Sequence, residues 1–165
     1  MKKNTVHAKG YLRKNLAIVL GLLVFFCFAG FVQAAQPPQL PARFQVVANS
    51  NGAIVRDNNS GLEWQRCAYG QSWTGSGCSG SAWQGSWHDA VRITAPDGFR
   101  VPTIDELKTL APYDQNVFPG AYRLWSCSPD AYSNSAAWGL HFGGGYPSNG
   151  LKGYGSQVRL VRDGQ

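Results

Sequence analysis

The sequence predicts a mixed fold of short antiparallel strands and two helices, and three observations lead there. Short β-prone runs alternate with Asn- and Gly-containing turns, as in FQVVANSNGAIVRD, Phe44 to Asp57. Only two stretches, WQGSWHDAVRI and TIDELKTL, carry apolar residues at helical spacing. Glycine (20 residues) and aromatic residues (13%) are plentiful, while beyond the first residues lysine occurs only at Lys108 and Lys152. That is the composition of a loop-rich fold burying tryptophan under irregular backbone, not of a helical bundle.

The amino-terminal segment reads as a secretory signal, residues 1–34. Lys2, Lys3, Lys9, Arg13 and Lys14 precede the apolar run Leu16 to Val32, and Val32-Gln33-Ala34 offers small residues for cleavage before Ala35. An uncleaved membrane anchor is the alternative, since a span needs roughly 20 apolar residues. Cys27 precedes Phe28 and lacks a lipoprotein context. The expected location is secreted, periplasmic or cell-surface. The formal net charge of +6 shrinks once the leader is removed, because five of the 15 Lys and Arg lie there and none of the nine acids do. Ten bases against nine acids remain, so a nucleic-acid partner is not expected. Residues 35–42 form a Pro-rich spacer, and 43–165 a single domain.

Along the domain, Phe44 to Val47 and Ala53 to Arg56 are expected to pair as a hairpin through the Asn-Gly turn before Ala53. LEWQRC, Leu62 to Cys67, follows as a strand with Leu62 and Trp64 on one face. Cys67 and Cys78 flank a Gly- and Ser-rich loop, and in an oxidising compartment they most simply form a disulfide; neither C-x-x-C pairs nor a His cluster points to a metal. The first helix is expected over Trp83 to Ile93, with His88 as a polar flank. The second begins at Thr103, whose Thr-x-x-Glu spacing to Glu106 makes a capping box, with Ile104, Leu107 and Leu110 as the buried stripe. Asp105 and Glu106 there suit the helix dipole rather than catalysis. RLWSCS, AWGLHF and QVRLVR are the remaining strands, and Gly143 to Gly155 between the last two is expected to be a long, Gly-rich loop.

In this order, DNNSGLEWQRC, TGSGCSG, GFRVPTIDELKTL, LWSCSPD, AWGLHF and VRLVRDG resemble the Lcl C-terminal domain family, a domain of unknown function, across nearly all of residues 43–165. The resemblance implies a C-type-lectin-like α+β domain: two helices packed on twisted antiparallel strands, with a long loop region presented for binding. FRVPTIDEL and the terminal RLVR are also similar to formylglycine-generating enzymes and to the variable proteins of diversity-generating retroelements. The family's best-described member type is an adhesin domain that binds sulfated glycans. Adhesion or glycan binding is therefore the implied function, with an extracellular glycan or a surface protein as partner.

Ca²⁺ takes six to eight oxygen ligands, and Ala131 to Gln157 contains no Asp or Glu, so neither a Ca²⁺-bridged sugar nor any other cofactor is expected. Sugar contacts would fall to His141, Tyr146, Asn149, Lys152 and Tyr154, with Trp138 assigned to the core. Cys127 has three readings: a nucleophile, half of a disulfide, or a small buried thiol. A thiol-dependent enzyme needs a base beside it, and only His141 is available in that region. Strand alternation sets Trp125 and Cys127 on one face and Trp138, Leu140 and Phe142 on the inward face of the next strand, so His141 is expected to point away from Cys127. A non-enzymatic binding module is the expected class. The alternatives are a Cys127-dependent enzyme and a structural subunit of a fimbrial or envelope assembly.

Overall fold

The structure is a computed structural model that describes residues 40–165. The expected signal segment and most of the spacer lie outside the described residues. The domain is built mostly of antiparallel sheets with two short helices.

β1 (Phe44–Val46) and β2 (Ile54–Asp57) form the expected hairpin, Val46 opposite Val55. Its turn places Asn49, Asn51 and Gly52 at φ of 61°, 51° and 82°, a region that Asn tolerates and Gly prefers. β3 (Glu63–Gln65) pairs with β2, and β9 (Val161–Arg162) pairs with β3, so the end of the chain closes the sheet begun at its start, in the order β1-β2-β3-β9. Cys67 and Cys78 form a disulfide, with Cα atoms 5.6 Å apart. The loop they enclose is not wholly irregular: β4 (Ser72–Trp73) and β5 (Cys78–Ser79) make a two-residue ladder against the bridge.

The first helix is shorter than its apolar spacing predicts. α1 covers only Trp87–Ala90. Gly85 exchanges backbone hydrogen bonds with Ser156, which holds the chain extended up to the cap, and the Ser86 hydroxyl accepts from Asp89 N–H to start the turn. Trp83 consequently lies outside the helix. α2 (Ile104–Thr109) follows its sequence signal closely: Thr103 Oγ1 accepts from Glu106 N, and the Glu106 carboxylate accepts from Thr103 N at 2.7 Å. Ile104, Leu107 and Leu110 are buried as expected.

The largest departure is in the Gly-rich segment. β6 (Arg123–Pro129) pairs with β7 (Ala136–His141), and Tyr146–Leu151 within the expected loop is a third strand, β8, in register with β7 from Ala136–Leu151 to His141–Tyr146. Pro147 and Gly150 argue against a strand when read locally. On a sheet edge both are tolerated, because β8 has a partner on one side only.

Both faces of this second sheet are covered over part of their area. Leu124 and Leu140 join Trp64, Phe118, Leu107 and Val161 in one core cluster; Trp125 and Ala137 join Ala90, Phe99, Val101, Val158 and Leu160 in another. Trp64, fully buried, anchors the first cluster, and its truncation to Ala would cost about 3 to 5 kcal/mol. Trp138 shares the Leu140 face, as alternation requires, but stays half-buried and joins neither cluster.

Candidate ligand-binding face

Register decides which side chains meet on the second sheet. Arg123 lies opposite His141, and His141 opposite Tyr146; Trp125 lies opposite Gly139, and Gly139 opposite Ser148. Arg123, Trp125, His141, Tyr146, Ser148 and Gly150 therefore share one face. At the Trp125 end α1 packs against β6, whereas the Arg123 end is open.

On the open part, the Arg123 guanidinium reaches across the sheet. It donates from Nη1 to Ser148 Oγ at 2.8 Å and from Nη2 to Ser148 O at 3.3 Å, with its carbon 5.1 Å from the Trp125 ring centroid. Gly150 makes the room: a Cβ there would stand 2.7 Å from Arg123 Nη2. Among the described residues no carboxylate meets this guanidinium. Burial pulls its pKa below the ordinary guanidinium value, an effect that Tyr146 partly offsets. Arg123, Trp125, Asn149, Gly150, Tyr154 and Ser156 line a cavity of about 500 Å³. The Ser156 hydroxyl is buried there without a hydrogen-bond partner among the described residues.

Beside the arginine stands an aromatic group. His141 and Tyr146 stack at 5.1 Å with planes 6° apart, and Tyr122 meets His141 edge-on at 4.4 Å. Tyr122 is 72% exposed, Tyr146 53% and Tyr154 66%. Flat, exposed rings next to a guanidinium with unused donors can stack on a sugar ring and bind its oxygens.

Of the five expected contact residues, the structure brings His141 and Tyr146 together and sets Tyr154 on the cavity rim. The other two are committed elsewhere. Asn149 donates from Nδ2 to Asp130 at 2.6 Å, and Lys152 donates to Asn134 O at 2.9 Å while lying 4.5 Å from the Trp87 ring centroid. Arg123, Tyr122, Ser148 and Ser156 were absent from the expected set. Tyr122 and Arg123 carry no local signal of their own, because their neighbours on this face are set by the pairing of β6, β7 and β8.

His141 does not occupy the face expected for it. Strand alternation predicts one buried face per strand pair, but Leu124 and Trp125, adjacent in sequence, are buried on opposite faces, so His141 shares a face with Trp125. What separates it from Cys127 is length: His141 pairs with Arg123, four residues from Cys127, roughly 13 Å along the strand. Cys127 is unbridged and partly buried against the Trp125 cluster, beyond a register shift in β6. Burial, and next to it the Glu106 carboxylate, push the thiol pKa up, against a smaller opposing pull from Arg100. Among the described residues no group of three or more His, Cys, Asp or Glu is placed to hold a metal ion.

The sequence profile of the Lcl C-terminal domain matches residues 53–162, two thirds of the chain. The chain belongs to that family. No curated protein and no solved structure matches it. In this Lcl C-terminal domain the matched span takes in the second sheet, and with it the whole Arg123 face, while β1 precedes it.

Proposed function

We infer that this domain is a non-enzymatic, extracytoplasmic adhesion module of C-type-lectin-like architecture that binds a glycan without Ca²⁺ on the Arg123 face. The observation that carries the reading is the juxtaposition of a partly buried guanidinium that meets no carboxylate among the described residues with exposed Tyr154 on the same cavity and, beside it on the sheet, the exposed rings of Tyr146 and Tyr122 around His141. Rings supply stacking area at small entropic cost, and the guanidinium favours a sugar bearing an acidic group. The closing of the first sheet by the last strand, with a separate three-stranded antiparallel sheet packed into the same cores, supports the architecture. Against the thiol-enzyme reading stand the raised Cys127 pKa and the separation of Cys127 from His141.

The test is a glycan-array screen of the purified protein in chelator, with a Tyr146→Ala/Tyr154→Ala variant alongside. Retained binding in chelator and its loss in the variant are expected. Binding that needs Ca²⁺, or that the variant keeps in full, would overturn the assignment.

A further inference from the structure

A second cavity, which shares no lining residue with the cavity of the Arg123 face, lies between the first hairpin and the disulfide loop. It measures about 630 Å³, within the range of small-molecule sites, and its walls include Phe44, Val46, Trp73, Pro119, Gln115 and Arg66. Arg66 is 7% exposed, and its guanidinium carbon sits 3.6 Å from the Trp73 ring centroid. Trp73 reaches this position because Gly52 has no Cβ, which would stand 2.9 Å from the indole nitrogen.

The polar accounting of Arg66 is incomplete. Nε donates to Val117 O at 2.9 Å, Nη2 to Asn116 O at 2.8 Å and Nη1 to Gly52 O at 3.4 Å, so of its five N–H groups two have no partner among the described residues. Arg159, fully buried, donates to the Arg66 carbonyl, to Gln65 O and to Pro119 O, and its Nε has no partner. Neither arginine meets a carboxylate, and residues 1–39 contain none to offer. Burial lowers the pKa of both, and for Arg159 the neighbouring Arg66 lowers it further. Two buried positive charges thus share one region with no anion to balance them, and one of them lines an apolar cavity.

We propose that this cavity binds a small organic carboxylate with a flat apolar body, its carboxylate on Arg66 and its body against Trp73, Phe44 and Val46. The carboxylate takes the two unused N–H groups and offsets the charge of the arginine pair. The ring-lined walls remove the body from water.

The test titrates the purified full-length protein with phenylacetate and, separately, with phenylacetamide, following tryptophan fluorescence and equilibrium dialysis. Phenylacetate is expected to bind saturably, and the amide roughly tenfold to a hundredfold more weakly for want of the charged hydrogen bonds. Val46 is 44% exposed at the cavity wall, so Val46→Asp places a negative charge there without disturbing the core. This variant is expected to keep the parent's thermal unfolding and to bind phenylacetate at least about tenfold more weakly. Arg123→Gln is expected to bind phenylacetate as the parent does, which keeps this site independent of the glycan face. Equal binding of acid and amide, no binding of either, or undiminished binding by Val46→Asp would each overturn the proposal.

Discussion

The arginines that hold carboxylates around the first sheet and the arginine on the open face of the second are used in opposite ways. Arg43 chelates Asp57 through two 2.7 Å bonds, Arg56 and Arg162 both close on Glu63 at 2.7 Å, and Arg100 closes on Glu106 at 2.6 Å. Asp57 and Glu63 are buried, and their partners come from β2, β9 and the segment just before β1, so these pairs tie together both ends of the domain. Arg123, by contrast, rests on a serine hydroxyl and a carbonyl. The near balance of acids and bases in the domain conceals this. Three acids are consumed by Arg43, Arg56, Arg162 and Arg100, while Ala131 to Gln157 contains none, so a domain of nearly balanced charge still leaves Arg123 without a carboxylate on an open face. Net charge constrains long-range attraction; it says nothing about a local site.

The sharpest way to break the paired side is Glu63→Ala. It leaves Arg56 and Arg162 facing each other without their carboxylate, and a loss of about 3 to 5 kcal/mol in denaturant unfolding is expected. Acid does the same more gently. At Asp57 and Glu63 burial is the largest single influence and would raise the carboxyl pKa, but the hydrogen bonds and charges of their arginines, joined at Asp57 by the Asn59 N–H and the Ser60 hydroxyl, together outweigh it; at Glu106 the Arg100 hydrogen bonds lead, and all three are lowered. A lowered carboxyl pKa means that the unfolded state binds protons first. The stabilisation is therefore complete above the unfolded value of about 4 and is lost as pH falls through the folded value. Thermal unfolding is expected to be flat from neutral pH down to about 5 and to fall steeply below about 4. A midpoint insensitive to pH in that range would show that the pairs contribute nothing net.

The disulfide comes next in size. Replacing Cys67 and Cys78 together with Ser frees the loop that carries Trp73 onto Arg66, and a loss of about 2 to 3 kcal/mol is expected, with the cation–π contact weakened at the same time. Unfolding of oxidised and reduced protein measures the first effect, and Trp73 fluorescence the second.

What could be read from the sequence was local in origin. The capping box of α2 spans three residues, the first hairpin turns on an Asn-Gly pair, and the bridge joins cysteines eleven apart; each came out as expected. What failed depended on distant partners. α1 is cut to one turn because Gly85 pairs with Ser156, and β8 exists because β7 offers it a full register despite Pro147 and Gly150. His141 takes the Trp125 face because a sheet covered on both sides defeats the rule that one face is buried. Arg123 escaped notice for the same reason: its seat is made by Ser148 and Gly150, and neither residue means anything at that spacing until β8 is a strand.

The smallest expected effect on stability is the most informative for function. Arg123→Gln removes no ion pair, since there is none to remove. It forfeits two hydrogen bonds from a partly exposed group and a cation–π contact at 5.1 Å, so unfolding is expected to shift by less than about 1 kcal/mol. If the guanidinium is there to meet a ligand, glycan binding falls by roughly tenfold or more in the same variant, because a charge-assisted bond to the ligand is lost. Gly150→Ala separates charge from position. Its methyl group would enter the space of Nη2 and displace the guanidinium while leaving the residue in place. Weakened binding by both variants with the fold intact marks Arg123 as a recognition residue. A loss of several kcal/mol in Arg123→Gln with unchanged binding would instead put it in the same structural class as Arg43 and Arg162, and the contrast between the two sheets would collapse.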